Sequence, residues 1–172
     1  MARVSIRMAA NEVDFDAARE LCREWLDWHW KNYPDGWPRG EDHPMDPVGF
    51  EAVLQDLPKI HRRPRGGVLI GAVDGQDVGC VMYHEAGEDV AEFKRMFVSE
   101  RGRGNAVGRL MLDEMFERLI ADGYRKVFFS SATFLTHARG MYERAGFTGM
   151  PHPSGFPDAW RDRVYFMERS LV

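Results

Sequence analysis

A glycine-containing segment past the middle of the chain has the composition of a phosphate-binding loop. The segment Arg103–Arg109 follows the apolar run Val90–Val98 and opens a long amphipathic pattern. A strand that passes through small residues directly into a helix exposes unpaired backbone N–H groups at the helix N-terminus, where the helix dipole favours negative charge. Glycine and alanine let a ligand approach the backbone closely, and Arg103 and Arg109 add positive charge. The segment therefore predicts binding of a phosphate-bearing ligand, although a plain tight turn is the alternative.

Two well-known phosphate-binding motifs do not fit this segment. A P-loop requires a Lys-Ser or Lys-Thr pair after its second glycine, and the chain contains no such pair. A dinucleotide-binding fold places its glycines after the first strand of a βαβ unit, with an acidic residue ~20 residues further on. No doubly wound series of strands and helices precedes Arg103. Neither class is therefore predicted.

A third motif does fit. Arg103–Gly108 resembles the Arg/Gln-x-x-Gly-x-Gly/Ala motif of the GCN5-related N-acetyltransferases (the GNAT superfamily), which binds the pyrophosphate of acetyl coenzyme A (acetyl-CoA). Four other segments resemble further parts of that family in order and spacing: Val4–Arg7 its first strand, Ala91–Val98 its fourth strand, Ala121–Val127 the end of its third helix and the start of its fifth strand, and Ala138–Phe147 its Ala-x-x-x-Tyr-x-x-x-Gly-Phe motif. The resemblance covers essentially the whole chain. It implies a mixed α/β fold of the acyl-CoA N-acyltransferase type, in which helices flank a mostly antiparallel sheet with one splayed parallel strand pair.

Two positions near these motifs depart from the family pattern, and a third carries a polar side chain. Ala106 stands where the family has its first motif glycine, and alanine is expected to exclude a left-handed backbone there. Leu135 replaces the asparagine that often precedes the tyrosine motif, so one common cofactor contact of the family is in doubt. The side chain of Asn105 is a further group that could face the ligand.

Length and composition predict one soluble globular domain over residues 1–172. Of these residues, 44% are hydrophobic and 29% are charged. No apolar run approaches the ~20 residues of a membrane span, and the N-terminus lacks a signal-peptide core. Cys22 and Cys80 form neither a disulfide framework nor a metal-ligand pair, so a reduced, cytoplasmic setting is the default and no metal is expected. The net charge of −4 argues against nucleic-acid binding, and the basic run His61–Arg65 is interpreted as a solvated loop.

Hydrophobic periodicity and turn residues predict the elements that position the Arg103–Arg109 segment. Strands are expected at 3–8, Val68–Val73, Val78–Glu85, Val90–Val98, Lys126–Ser131, from Phe147, and at Val164–Ser170. Helices are expected at Glu12–Trp30, Pro47–Leu57, from the segment to about Asp122, and at Thr136–Ala145, with a loop at Met150–Asp162.

Connections between these elements predict the sheet topology. The middle strands form an antiparallel meander with a turn at Asp74-Gly75, whereas Lys126–Ser131 is expected to run parallel to Val90–Val98 because a long helix makes the crossover. The inward stripe expected on that helix is Val107, Met111, Leu112, Met115, Phe116, Leu119 and Ile120.

The resemblance implies how acetyl-CoA would be held. The backbone N–H groups of Gly104–Arg109 would bind the pyrophosphate, and the backbone of Phe97 and Val98 would pair with the pantetheine arm like an added strand. A backbone N–H of the same strand would polarise the thioester carbonyl. The implied cofactor-binding residues are Phe97, Val98, Arg103, Gly104, Asn105, Ala106, Val107, Gly108 and Arg109.

Tyr142 is the candidate acid. The resemblance assigns this tyrosine to donate a proton, or a hydrogen bond, to the departing sulfur. A phenol has a pKa of about 10 and an alkyl thiol of about 8.5, so full transfer is uphill by roughly 2 kcal/mol and a strengthening hydrogen bond would suffice. A tyrosine packed on the core is the alternative for this position.

Glu92 is the candidate base. It precedes Val98 by six positions on the predicted strand, and strand alternation places it on the face of Lys94 and Met96. A carboxylate there could deprotonate an ammonium directly or through water. An ion pair with a neighbouring arginine is an equal alternative for Glu92. Outside candidates for the base are His84, Glu85 and His137.

The acceptor site is expected where the family builds it, from the first two helices and the final loop. These regions are rich in aromatic residues, which could line a substrate pocket or serve core and lid packing. They are Trp25, Trp28, His29, Trp30, Tyr33 and Trp37, together with the stretch Pro151–Trp160. The candidate substrate residues are Trp28, Trp30 and Tyr33.

Transfer of an acetyl group from acetyl-CoA to a primary amine, by direct attack in a ternary complex, is the function that the resemblance implies. The acceptor could be a small metabolite, an amino acid, an antibiotic or a protein N-terminus. A non-catalytic acyl-CoA sensor is the rival hypothesis, and a longer acyl donor or a hydroxyl acceptor is a further one. Homodimers are common in the family, so a homodimer stays open.

Overall fold

The computed structural model describes residues 1–172, which form a seven-stranded sheet with helices packed on both of its faces. The strands are β1 (Val4–Met8), β2 (Gly67–Val73), β3 (Gln76–Gly87), β4 (Val90–Val98), β5 (Lys126–Ala132), β6 (Thr148–Met150) and β7 (Val164–Ser170). The helices are α1 (Glu12–Asn32), α2 (Pro47–Gln55), α3 (Leu57–Ile60), α4 (Val107–Ala121), α5 (Thr136–Arg144) and α6 (Asp158–Arg161), and a 3₁₀ turn covers Glu100–Gly102.

The sheet has the order β1-β2-β3-β4-β5-β7-β6, and every neighbouring pair is antiparallel except β4 and β5. The parallel pair is joined by α4, whose 15 residues make the crossover that a parallel connection requires. The mixed α/β fold and the parallel pair predicted from the sequence are both confirmed.

Local sequence explains where several elements begin and turn. Asn11 caps α1 by accepting a hydrogen bond from the Asp14 backbone N–H at 3.0 Å. Asp74 and Gly75 form the β2–β3 turn, and both have positive φ angles, of 49° and 83°. Gly123, with φ 96°, follows α4 where the sequence predicts its end.

Two hydrophobic layers hold the helices on the sheet. On one face, Met111, Met115 and Leu119 of α4 are fully buried against the strands. Ile120 was expected in this stripe and this was wrong: it is 53% exposed, because it lies at the outer edge of the helical face. On the other face, α1 and α2 pack through a separate cluster that includes Leu21.

Several element boundaries differ from the sequence-based prediction. The helix from Pro47 ends at Gln55 rather than Leu57, and α3 follows it separately; Pro58 lacks the N–H that a continuous helix needs and clashes with the preceding turn. The loop expected at Met150–Asp162 contains the short helix α6.

The basic run after α3 is not the solvated loop expected from its charge. His61 is buried, and the Arg63 guanidinium binds both carboxylate oxygens of Asp122 at 2.6 and 2.7 Å. This pairing ties the run to the end of α4. No helix of the chain combines the length and the apolar character needed to cross a membrane.

Candidate active site

The turn between β4 and α4 presents free backbone donors. Ala106 is the N-cap residue of α4, and no side chain caps this helix end. The first backbone N–H bonded to the cap belongs to Leu110, which donates to the Ala106 carbonyl at 3.0 Å. The amides of Val107, Gly108 and Arg109 therefore occupy the helix positions whose N–H groups have no intrahelical acceptor. An anionic ligand fits here, because these donors and the helix dipole point the same way.

The backbone of this turn corrects one expectation. Ala106 adopts the left-handed conformation, with φ 57° and ψ 20°, although alanine was expected to exclude it. Gly104 also has a positive φ of 80°, and a Cβ added there would meet no atom within 4 Å. The turn requires left-handed backbone at both positions in order to redirect the chain from β4 into α4. Ala106 accepts this at an energetic cost that glycine avoids.

The polar side chains of this turn differ in availability. Arg103 lines the cavity described below, and its only ion pair is the loose one with Glu100 at 3.6 Å. Arg109 is bound to Asp113 at 2.9 Å and to the Arg144 carbonyl at 3.2 Å. The Asn105 side-chain amide donates to backbone carbonyls of its own loop, at 3.2 and 3.4 Å. Arg103 is thus the side chain most free to meet an anionic ligand.

Strands β4 and β5 separate shortly after they begin to pair. Their register covers three residue pairs, from Val90↔Lys126 to Glu92↔Phe128. Beyond Glu92 the β5-facing edge of β4 has no strand partner, and the larger of two cavities that meet at this gap, of about 910 Å³, opens there. Phe97, Val98 and Arg103 line it, so an extended ligand could pair with the open edge while its phosphates reach the turn. The size, the free edge and the unpaired amides fit coenzyme A.

A β-bulge on β4 changes which way its side chains face. Cys80 pairs with Phe97 but Met82 pairs with Lys94, so β4 has one residue more than β3 in this interval. Arg95 lies in the bulge with φ 54°. Met96 then packs with the cluster on the α4 face and Phe97 with the cluster on the α1 face. The expectation that Met96 shares a face with Glu92 was therefore wrong, because strict alternation ends at the bulge.

Tyr142 lies on α5 and lines the larger cavity. Its ring packs against Phe129 and Phe93, at centroid distances of 4.3 and 5.7 Å, and the residue is 4% exposed. Burial, followed by the neighbouring Tyr165 hydroxyl, raises the pKa of the Tyr142 phenol. The hydroxyl is therefore protonated at neutral pH and can donate a hydrogen bond into the cavity. The same tyrosine is both a core residue and a cavity residue.

Glu92 faces a histidine across the sheet and a lysine along its own strand. His84 is its register partner on β3, with Nε2 3.3 Å from Glu92 Oε2, and Lys94 Nζ lies 3.7 Å from Oε1. Burial by itself raises the pKa of the Glu92 carboxyl, but the His84 contact and the Lys94 charge outweigh it and the net pKa is lowered. Glu92 is thus ionised at neutral pH. The arginine of the alternative ion pair is absent from this cluster, since the nearby Arg95 guanidinium contacts His61 at 3.1 Å.

A smaller cavity of about 510 Å³ lies on the other side of the gap between β4 and β5. Glu92 and Tyr33 line this cavity only, whereas Tyr142 and Trp28 line only the larger one. Trp30 lines neither of the two. The residues common to both cavities are Trp25, Phe93, Lys94, Arg95, Ser130, Ser131 and Leu135.

Some residues of this site carried no sequence signal. Arg95 looks like any strand residue until the bulge turns it towards the gap. His43 lies in the loop after α1, and only folding brings its ring to 6.1 Å from that of His29, which the sequence did place among the aromatic residues of the acceptor site. The stretch Pro151–Trp160 was also expected at the acceptor site, and Phe156 and Trp160 do line the smaller cavity.

Comparison with known proteins identifies the family. The family model described as "Acetyltransferase (GNAT) family" matches residues 22–147. A comparison with curated protein sequences finds no match.

Solved structures with this fold are numerous. An acetyltransferase of the GNAT family from Staphylococcus aureus shares 17% identity, over 99% of this chain and 100% of the other, with a TM-score of 0.75. An acetyltransferase from Streptococcus agalactiae shares 16% identity over 97% and 98% of the two chains, with a TM-score of 0.73. PaiA N-acetyltransferase from Thermoplasma acidophilum, solved in complex with coenzyme A, shares 13% identity over 98% and 99%, with a TM-score of 0.70. With the family match spanning most of its length, the chain belongs to the GNAT family of acetyltransferases and is an enzyme of the transferase class.

Proposed function

We propose that residues 1–172 act as one catalytic domain that transfers an acetyl group from acetyl-CoA to a primary amine by direct attack in a ternary complex. The observation that carries this proposal is the division of polar groups between two cavities. The protonated Tyr142 lines the larger cavity, the ionised Glu92 lines the smaller one, and the cavities share residues in the gap between β4 and β5. An acid and a base on opposite sides of one gap suit a reaction with a leaving group on one side and a nucleophile on the other.

The turn before α4 and the open edge of β4 are the groups that would hold the cofactor. The amides of Val107–Arg109 would bind the pyrophosphate, with Arg103 adding charge, and the backbone at Phe97 and Val98 would pair with the pantetheine arm. When bound, acetyl-CoA supplies an acyl group already activated as a thioester. The chain itself then needs only to orient the acyl group in the gap, to take a proton from the acceptor ammonium and to stabilise the departing sulfur with a hydrogen bond.

Glu92 would act on the acceptor side. Its carboxylate attracts an ammonium group and accepts a proton from it, directly or through one water. His84, at 3.3 Å from that carboxylate and one quarter exposed, offers a route for the proton to solvent. The neutral amine then forms a C–N bond to the acyl carbon as the C–S bond breaks, and the second proton that the nitrogen loses goes to the departing thiolate, directly or through water.

Tyr142 would act on the cofactor side. Its phenol donates a hydrogen bond to the sulfur as negative charge develops there, and the raised pKa makes a strengthened hydrogen bond more favourable than complete proton transfer. The apolar packing around the ring fixes where the hydroxyl points. Such a fixed donor stabilises the charge without reorganisation during the reaction.

The test combines binding with turnover. Calorimetry with coenzyme A measures the cofactor site, and release of free thiol from acetyl-CoA across a panel of amines measures transfer. We expect binding and thiol release that depends on an added amine. Binding without turnover on any amine would favour a non-catalytic acyl-CoA sensor, and faster release from a longer acyl thioester or with an alcohol would change the donor or the acceptor.

A further inference from the structure

We infer that the acceptor is a monoamine with a flat apolar body and one uncharged hydroxyl, and that His29 recognises this hydroxyl; the inference rests on the proposed function. His29 is 5% exposed and lines the smaller cavity. Neither of its ring nitrogens has a hydrogen-bond partner in the protein. A buried imidazole whose two nitrogens lack hydrogen bonds is energetically unfavourable and rare in folded proteins. A ligand group that hydrogen-bonds to one of these nitrogens would reduce the cost.

The surroundings of His29 are mainly aromatic. Its ring lies 5.3 to 6.2 Å from the rings of Trp25, Trp30, Tyr33 and Phe134. Burial, with a smaller contribution from nearby His43, lowers the pKa of the imidazole to about 4. His29 is therefore neutral at physiological pH, with one nitrogen donating and the other accepting.

Several polar groups of this aromatic cluster are hydrogen-bonded to one another or to the backbone rather than to His29. The Met45 N–H donates to His43 Nδ1 at 2.9 Å, so the neutral His43 ring carries its proton on Nε2 and donates to the Tyr33 hydroxyl oxygen at 3.0 Å. Tyr33 in turn donates to the Pro38 carbonyl at 2.5 Å. The Trp30 indole N–H donates to the Met45 carbonyl at 2.8 Å. None of these hydrogen bonds involves His29, and both of its ring nitrogens stay unpaired.

A hydroxyl can pair with either ring nitrogen of His29. The neutral imidazole has one donor nitrogen and one acceptor nitrogen that point in different directions, and a hydroxyl can accept from the first or donate to the second. A charged group at His29 would lose its hydration without an opposite charge to compensate, which is strongly unfavourable in an apolar wall. The ligand group that meets His29 is therefore polar but uncharged.

The rest of the smaller cavity defines the body and the charge of the ligand. Aromatic side chains, Tyr33, Trp37, Phe50 and Trp160 among them, form much of its wall and favour a flat apolar body. Its acids, Glu92 and Asp42, are balanced by Lys94 and Arg95. Two further guanidinium groups flank it: Arg39 lies 4.9 Å from the Tyr33 ring centroid and Arg163 lies 5.7 Å from that of Trp37. This balance suits one ammonium group near Glu92 and disfavours a polyamine.

The test compares 2-phenylethylamine with its three ring-hydroxylated isomers, because each pair differs by a single hydroxyl. Both kcat/KM with acetyl-CoA and binding to the coenzyme-A-loaded protein, by calorimetry, are measured. We expect one isomer to exceed the parent amine about tenfold in both. In His29→Leu this ratio falls to about one, while His29→Gln, which keeps a donor and an acceptor, retains part of it. Lys31→Leu, on the exposed side of α1, keeps the wild-type ratio.

The outcomes separate this inference from the proposed function. Hydroxyl-dependent binding that His29→Leu abolishes, without turnover, would support the recognition by His29 and contradict the transfer reaction. Turnover with equal rates for all four amines, or a ratio unchanged in His29→Leu, would overturn the inference alone. A preference for spermidine or for a peptide N-terminus over every arylalkylamine would overturn it as well.

Discussion

Replacing Ala106 with glycine should make the protein more stable, although it removes a methyl group from the turn before α4. Ala106 has φ 57° and ψ 20°. A left-handed backbone costs an alanine roughly 1–2 kcal/mol, because its Cβ approaches the following carbonyl oxygen. Glycine has no such penalty.

Two further terms set the size of the effect. Glycine also gives the unfolded chain more conformational freedom, which offsets about 0.4–1 kcal/mol of the stability gained from the relieved backbone strain. Ala106 is exposed, so losing its methyl group leaves no cavity. The net gain in the free energy of unfolding is then about 0.5–1 kcal/mol, and the expected rise in Tm is about 1 to 4 °C for a chain of this length.

Urea unfolding followed by circular dichroism would measure this gain as a higher midpoint with an unchanged slope. Two matched variants provide the controls. Ala52→Gly, at an exposed position of the right-handed helix α2, should lose about 1 kcal/mol. Gly104→Ala, where φ is 80° and no atom lies near the added Cβ, should lose a similar amount through backbone strain alone. If Ala106→Gly were less stable than the wild type, the backbone argument for this turn would be refuted.

Two other perturbations test the site, and a third tests stability. Tyr142→Phe should lower kcat about 100-fold and leave the Kd for coenzyme A, measured by calorimetry, nearly unchanged; an unaltered kcat would remove the phenol from the mechanism. Glu92→Gln should lower kcat/KM at neutral pH. In the wild type, kcat/KM should fall at acid pH as Glu92 is protonated, at a pH below the usual range of a glutamate because the pKa of Glu92 is lowered. The variant should lack this fall, and a fall that persists would point to another base. The third concerns stability: burial, opposed by a hydrogen bond to the Tyr83 carbonyl and reinforced by the charge of Arg95, lowers the pKa of His61 to about 3. The unfolded chain then binds this proton below pH ~6.5 and the folded chain does not, so His61 by itself should lower the free energy of unfolding by about 2 kcal/mol from pH 7 to pH 5. In urea titrations His61→Gln should remove this share of the pH dependence, while the share of His29, whose pKa is also lowered, remains.

The sequence by itself determined the path of the chain through the site. The run Val90–Val98, the small residues after it and the amphipathic pattern to Asp122 are local signals, and they predicted β4, the turn and α4 nearly to the residue. A crossover helix of that length also dictates a parallel neighbour for β4, so the β4–β5 pair followed from chain connectivity. Tyr142 was predicted to matter because its motif is contiguous.

Only the tertiary structure decided what surrounds those elements. Ala106 adopts a backbone that its residue type disfavours, because the directions of β4 and α4 over-determine the turn. Arg95 occupies a bulge that exists only through pairing with β3, and the bulge ends the alternation that a single strand would show. His29 becomes an unpaired imidazole because rings from distant parts of the chain, those of His43 and Phe134, enclose it without hydrogen-bonding to it. Local propensity and periodicity act over a few residues, whereas these features depend on contacts between segments that the sequence keeps far apart.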